Sequence, residues 1–188
     1  VGSEMCIRDR LNASELYKEI RKDYPIFLTR DINTAKTWIK SKAKGSERYG
    51  MIASSGAKRL RKYGIWIQNK VEAEKWFLNP KTDIRSSYFL EETATEFDIQ
   101  GLELDWTIVC WDANLRYDKN FEYYNFTGDS WKNINKEEIR IYLKNTYRVL
   151  LTRARQGFII FVPQGDSEDE TMQTKFYDGV YHLSLIHI

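Results

Sequence analysis

Apolar positions along the 188-residue chain alternate between short continuous runs and helical stripes. Tyr24–Thr29 (YPIFLT), Tyr49–Ala53 (YGMIA), Trp106–Trp111 (WTIVCW) and Gly157–Val162 (GFIIFV, closed by Pro163) predict buried strands, and Tyr88–Leu90 (YFL) predicts a shorter one. Between them the spacing turns helical. Leu16, Tyr17 and Ile20 form a stripe in Ala13–Arg21. Asp31 caps a helix through Ser41 with Ile32, Ala35, Trp38 and Ile39 on one face. Ser54 or Ser55 caps a helix over Ala57–Tyr63, which Gly64 stops. Asn135 caps a long helix through Arg155, and a last helix covers about Gln173–Leu183. Short apolar strands alternating with helices predict an α/β domain, a mostly parallel sheet covered by helices on both faces.

Length and composition narrow the class. At 42% hydrophobic and 30% charged residues, the chain reads as one globular domain, long enough to bury about 70% of its unfolded surface. No run reaches the roughly 18 apolar residues of a membrane span. The two Cys and two His (Cys6, Cys110, His182, His187) lie far apart, which argues against zinc and against a disulfide framework and suggests a reducing, cytoplasmic setting. Net charge is +2, so partners can be read only from its distribution. That distribution is blocked. Lys36–Lys62 holds nine basic residues and one acid, Glu91–Asp112 holds seven acids and no base, and Lys144–Arg155 holds four bases and no acid.

Each block contains a candidate site. In the first, Ser54-Ser55-Gly56-Ala57-Lys58-Arg59 stands at a strand–helix junction, where a helix N-terminus, hydroxyls and cations suit a backbone phosphate; a well-capped solvated helix reads the same way. In the second, carboxylates crowd Gly101 just before a strand, where glycine permits close backbone approach to a ligand; an acidic loop facing water has the same pattern. In the third, Tyr147, Leu150, Leu151 and Ala154 form an apolar stripe, which places Arg148 and Arg155 on one face and Arg153 off it. Arginine forks suit phosphate, and pairing with the acidic block is the alternative. A P-loop is missing: Gly45 and Gly50 have GxxxxG spacing, but Met51-Ile52 follow where Lys-Ser/Thr is needed.

Two segments carry a family resemblance. Thr95-Glu96-Phe97-Asp98-Ile99-Gln100-Gly101-Leu102-Glu103-Leu104-Asp105 resembles motif five of superfamily-one helicases, with Phe97 where that motif has His. Tyr147–Arg155 resembles motif six, V-A-L-T-R-A-R at its core. The runs SSYFLEETATEFDIQGLELDW, NTYRVLLTRARQGFIIFVP and FYDGVYH resemble the Schlafen group 3-like DNA/RNA helicase family across residues 11–182. The resemblance implies the second of two RecA-like domains of a P-loop NTPase, with ATP and Mg²⁺ held mainly by an N-terminal P-loop domain in cis. It implies that Arg153 is an arginine finger. Gly101 would approach the γ-phosphate, Glu103 the ribose hydroxyl, and Arg148 a second phosphate. Gln100 would couple nucleotide to nucleic acid, and Arg30 would lie near the adenine or phosphates. Thr95, Ser54, Ser55, Lys58 and Arg59 would touch the DNA or RNA backbone. Phe97 leaves the role of the motif's His unassigned, and Asp83–Ser87 has no role.

Two other functions fit the residues: a Mg²⁺-dependent nuclease using Glu92, Glu96, Asp98, Glu103 and Asp105, and a non-catalytic nucleic-acid-binding module using the basic block. The end segments VGSEMCIRDR (1–10) and LSLIHI (183–188) resemble translated sequencing-adapter read-through. On that reading they are extraneous and the chain is a fragment; native termini are the alternative.

Overall fold

In chain order the computed structural model, which describes residues 24–187 and the side chains of 24–183, runs β1 (Ile26–Thr29), α1 (Ile32–Lys42), β2 (Tyr49–Ala53), a 3₁₀ turn (Lys58–Tyr63), α2 (Ala73–Leu78), a second 3₁₀ turn (Ser87–Phe89), β3 (Thr93–Thr95) and β4 (Leu104–Cys110), then β5 (Leu115–Tyr117), β6 (Phe121–Thr127), β7 (Ser130–Asn133), α3 (Glu137–Leu151), β8 (Ala154–Phe161) and α4 (Lys175–His187). Five strands pair in the order β1-β8-β4-β2-β3, all parallel, as an α/β RecA-like fold requires. The remaining three form a separate antiparallel sheet, β5-β6-β7. Residues 1–23, which include the expected helix Ala13–Arg21 and the segment 1–10, lie outside the described residues.

Period-two alternation sorts the strand side chains onto two cores. Ile52, Ala94, Val109, Phe158 and Ile160 pack with α3 residues Leu143, Tyr147 and Leu150 and with Tyr177 and Val180 of α4. Met51, Ala53, Ile108, Cys110, Ile159 and Phe161 pack with Ala35 and Ile39 of α1 and with Leu60. Burial on both faces explains why these strands read as continuous apolar runs. A register shift between Leu104 and Trp106 sends these two residues, normally same-face neighbours, to opposite cores.

Asp31 caps α1 as expected, accepting from Asn33 N at 3.3 Å and Thr34 N at 2.7 Å. Four other expectations need correction. Ala57–Tyr63 is not an α-helix but a 3₁₀ turn of six residues; Gly64 does stop it, at φ +76°. Tyr88–Leu90 alternates buried and exposed like a strand, but Leu90 turns left-handed at φ +60° and breaks the extension; the edge strand is Thr93–Thr95. Helix α3 begins after Lys136, not Asn135, and stops at Leu151. There Thr152 Oγ1 donates to the carbonyls of Arg148 and Val149, and Leu104 N donates to Arg153 O to start the ladder of β8. Arg155 therefore lies on a strand, so it shares no helix face with Arg148. The last helix runs on to His187, into the tail.

Candidate functional site

Motifs five and six meet along one groove. After β3, Asp98 accepts hydrogen bonds from Thr95 N (2.8 Å) and Thr95 Oγ1 (2.7 Å), which closes the chain into a turn. Ile99 is fully buried beneath this turn, and Gly101 ends it at φ +80°. Helix α3 lies alongside with its stripe inward. Its flank and the turn enclose a groove of about 330 Å³ lined by Gln100, Phe97, Tyr142, Asn145, Val149 and Arg153 among others.

Arg153 is half-buried at the mouth of this groove, in the α3–β8 turn. Its guanidinium donates only to carbonyls, Val149 O at 3.3 Å and Leu102 O at 3.5 Å. It has no carboxylate partner among the described residues. The second bond joins Arg153 directly to the Gly101-Leu102 turn, and Gln100 lines the same groove. A Cβ built on Gly101 would meet nothing within 4 Å, so its backbone is open to approach. Glu103 is nearby but engaged, accepting from Arg155 Nε at 3.0 Å in a solvent-exposed pair. Arg148 is exposed on α3.

The other residues singled out from sequence gather at the carboxyl ends of the parallel strands, where ligands bind open α/β sheets. Most already have protein partners. Ser54 is buried, and its hydroxyl accepts from Gly56 N and Asn114 Nδ2. Ser55 donates both its N–H and its hydroxyl to Glu96, each at 2.7 Å. Lys58 Nζ donates to Phe126 O at 3.0 Å, and Arg59 pairs with Asp169 at 2.7 Å. The first turn of the Lys58–Tyr63 segment does not face solvent. Arg59 N donates to the buried Asp112 carboxylate, so a carboxylate of the protein stands where an anion was expected. Arg30 bonds Pro163 O and Asp178 and lies 4.0 Å over the Tyr181 ring, which ties β1 to α4.

A buried polar network that sequence reasoning missed underlies this edge. Tyr147 of motif six donates to Asn114 Oδ1 at 2.6 Å, and Asn114 Nδ2 donates to Ser54 at 3.1 Å. Asp112 accepts from Ala113 N, Arg59 N and Tyr177 O–H. Burial pushes the Asp112 carboxyl above the usual carboxylate range, because desolvation outweighs those three donors. Burial likewise raises the hydroxyls of Tyr147 and Tyr177, with the Asp112 charge adding to it. The second missed feature is the β6–β7 hairpin, which roofs a cavity over Ser54, Glu96 and Asn114. The signal was Thr127-Gly128-Asp129 between alternating aromatic residues; Gly128 opens a two-residue turn at φ +61°.

The acidic block does not assemble as a nuclease would need. Glu96 is tied to Ser55, Asp98 to Thr95 and Glu103 to Arg155, while Asp105 accepts from Arg48 N. No three His, Cys, Asp or Glu among the described residues are grouped to hold a metal ion. None of the described helices is long and apolar enough to cross a membrane.

No curated protein and no solved structure matches the chain. A family model described as Schlafen group 3, DNA/RNA helicase domain matches residues 4–164. With residues 4–164 of its 188 matched, the chain belongs to the Schlafen group 3 DNA/RNA helicase domain family.

Proposed function

We propose that this chain is the C-terminal motor domain of an ATP-dependent DNA/RNA helicase or translocase, acting across a cleft on a nucleotide held mainly by a P-loop domain in cis. One observation carries the reading. Among the described residues Arg153 is a guanidinium without a carboxylate, fixed by carbonyls to the Gly101-Leu102 turn beside an open groove. A planar cationic fork beside an approachable backbone fits the anionic end of a nucleotide.

Bound ATP with Mg²⁺ would supply a γ-phosphoryl group for transfer to water. The chain's own part is electrostatic. Arg153 sets its charge against the γ-phosphoryl oxygens, while its bonds to Val149 O and Leu102 O keep the fork oriented. Gly101 lets the backbone come close. Glu103 accepts from the ribose hydroxyl after leaving Arg155, an exchange that costs little because the pair is exposed. Gln100, on the same turn as Thr95, relays between nucleotide and nucleic acid, and Arg148 reaches a second phosphate. Arg30 lies farthest from this role, being held by Asp178 and Tyr181. On the nucleic-acid side, Thr95, Ser54, Ser55, Lys58 and Arg59 sit at or beside the strand ends. Their present hydrogen bonds make them the frame of that surface as much as its contacts.

The test is a protein in which this chain is joined to its P-loop domain. Arg153→Ala and Arg153→Lys should each lower ATP turnover by about 10³–10⁵, since lysine lacks the fork. Nucleotide affinity should change only modestly, and the chain alone should hydrolyse nothing. Wild-type turnover in Arg153→Ala would reject the finger assignment and shift it to Arg148.

A further inference from the structure

The cavity under the β6–β7 hairpin has chemistry of its own. It encloses about 470 Å³, within the roughly 300–1,000 Å³ of small-ligand sites. It opens at the carboxyl ends of β2, β3 and β4, next to the motif groove, with Glu96, Tyr142 and Thr146 common to both. Its wall on α3 is aromatic and apolar, made by Tyr142 and Ile139, which are 50% and 46% exposed, while the Tyr124 ring of β6 lies under Arg116. Its rim carries two exposed amides, Asn125 and Asn135, which engage no other side chain among the described residues. Lys132 and Lys136 flank them, also exposed. The floor is rigid. Asn114 is 1% exposed and held between Tyr147 and Ser54, and a Cβ on Gly56 would press to 2.8 Å from its Nδ2.

We infer that this cavity receives one unpaired nucleobase of a bound single strand, stacked on Tyr142 with its edge read by the rim amides and its flanking phosphates against Lys132 and Lys136. An aromatic wall gives stacking without sequence demand, and amides supply the paired donor and acceptor that base edges present. Glu96 lies in the floor with its oxygens held by Ser55 and Thr146, oriented to accept from an exocyclic amine. Lysines at the rim and amides between them match a base followed by phosphates better than an apolar peptide, which would leave the amides unpaired. The inference rests on the nucleic-acid part of the proposed function and adds to it a base-selective subsite built by the hairpin.

The test measures binding of the 188-residue chain to fluorescent single strands by anisotropy, comparing a strand carrying bases with an abasic strand of equal length. The wild-type chain should prefer the intact strand. Tyr142→Ala should erase that preference, a loss of roughly 5- to 150-fold on the intact strand, and leave abasic binding and its salt dependence unchanged. Asn125→Ala, on an exposed strand position, should reduce discrimination among the four bases. Equal binding of both strands by the wild type, or equal losses on both in Tyr142→Ala, overturns the base pocket and leaves the nucleic-acid reading standing. Failure to bind either strand overturns both. Tyr142-dependent binding of adenosine monophosphate with no preference between strands makes this a mononucleotide site and overturns the strand assignment.

Discussion

Gly179→Ala pits local helix preference against tertiary packing, and the outcome is calculable. Gly179 lies inside α4, where alanine is worth about 1 kcal/mol more than glycine. A Cβ there, however, would stand 1.5 Å from Tyr117 O and 2.7 Å from Tyr117 C. Both are backbone atoms of β5, so no rotamer relieves the contact. Reaching an ordinary separation requires the helix and β5 to part by about 2 Å, more than a close-packed interface absorbs. The residues beside Gly179 would then lift out: Tyr177 is fully buried and Val180 is 2% exposed. Full burial of such a side chain stabilises by about 1.5–3 kcal/mol, so losing half of each costs about 1.5–3 kcal/mol together. The Arg30–Asp178 pair and the Tyr177–Asp112 hydrogen bond would be strained in the same movement. After the helix gain is subtracted, the loss is about 0.5–2 kcal/mol, or a melting temperature lower by about 1–8 °C. Thermal unfolding followed by circular dichroism reads this directly. A Gly179→Ala protein at least as stable as the wild type would refute the docking of α4 on β5.

Three further outcomes follow from the same geometry. Gly157→Ala would bring a Cβ to 2.5 Å from Pro25 O and 2.9 Å from the Trp106 ring, so the urea midpoint should fall by the equivalent of about 1–3 kcal/mol; an unchanged midpoint would contradict the β1–β8 register. The folded pKa of Asp112 is raised above its unfolded value, so the folded chain holds the proton more tightly; stability from this group is fullest below the unfolded value and falls as pH rises toward the folded one. Asp112→Asn should remove that fall, and urea midpoints that track the wild type at every pH would refute it. Finally, replacing Lys132 and Lys136 with Ala should lower the salt slope of single-strand binding by about 1.4, at roughly 0.7 per phosphate, whereas replacing Lys58 and Arg59 should change it less, because both are committed to protein partners; the reverse order would return the contact to the Lys58–Arg59 turn.

The sheet was legible because its strands are buried on both faces. YGMIA, WTIVCW and GFIIFV carry no polar alternation, and nothing but a covered parallel strand or a short buried helix suits them. β3 escaped because three residues are too few for any period, and Thr93-Ala94-Thr95 has none of the bulk that marked Tyr88–Leu90. Tyr88 and Leu90 are buried through a 3₁₀ turn that leaves Phe89 exposed, since side chains in such a turn also diverge to different faces. The antiparallel sheet escaped for the opposite reason: β6 and β7 are largely exposed, so their polar and aromatic residues form no continuous apolar run. The site divided in the same way. Motif residues stood out through spacing, and the structure brings Gln100 and Arg153 to one groove, with Gly101 beside the Leu102 carbonyl that Arg153 bonds. Tyr142, Asn125 and Lys132 had no motif. They meet at the cavity only through the chain reversal at Gly128 and the entry into α3, contacts between residues that sequence spacing does not relate.

Arg153 is set apart from the neighbouring cations by the end of one helix. A continuous helix through Arg155 would have spread the three arginines around a solvated surface. Thr152 instead turns its hydroxyl back on Arg148 O and Val149 O, the backbone leaves the helix at φ −110°, and β8 begins two residues later. Arg155 is thereby placed across the ladder from Glu103 and is neutralised there. Arg59, on the opposite edge, finds Asp169 across a connection of more than a hundred residues. Arg153 falls in the two-residue link between helix and strand, where its backbone carbonyl must accept from Leu104 N to start the ladder. Its side chain is confined to the carbonyl ends of α3 and the Gly101-Leu102 turn. Carbonyls hold a guanidinium without cancelling its charge, and that geometry leaves the Arg153 fork positive and without a carboxylate among the described residues.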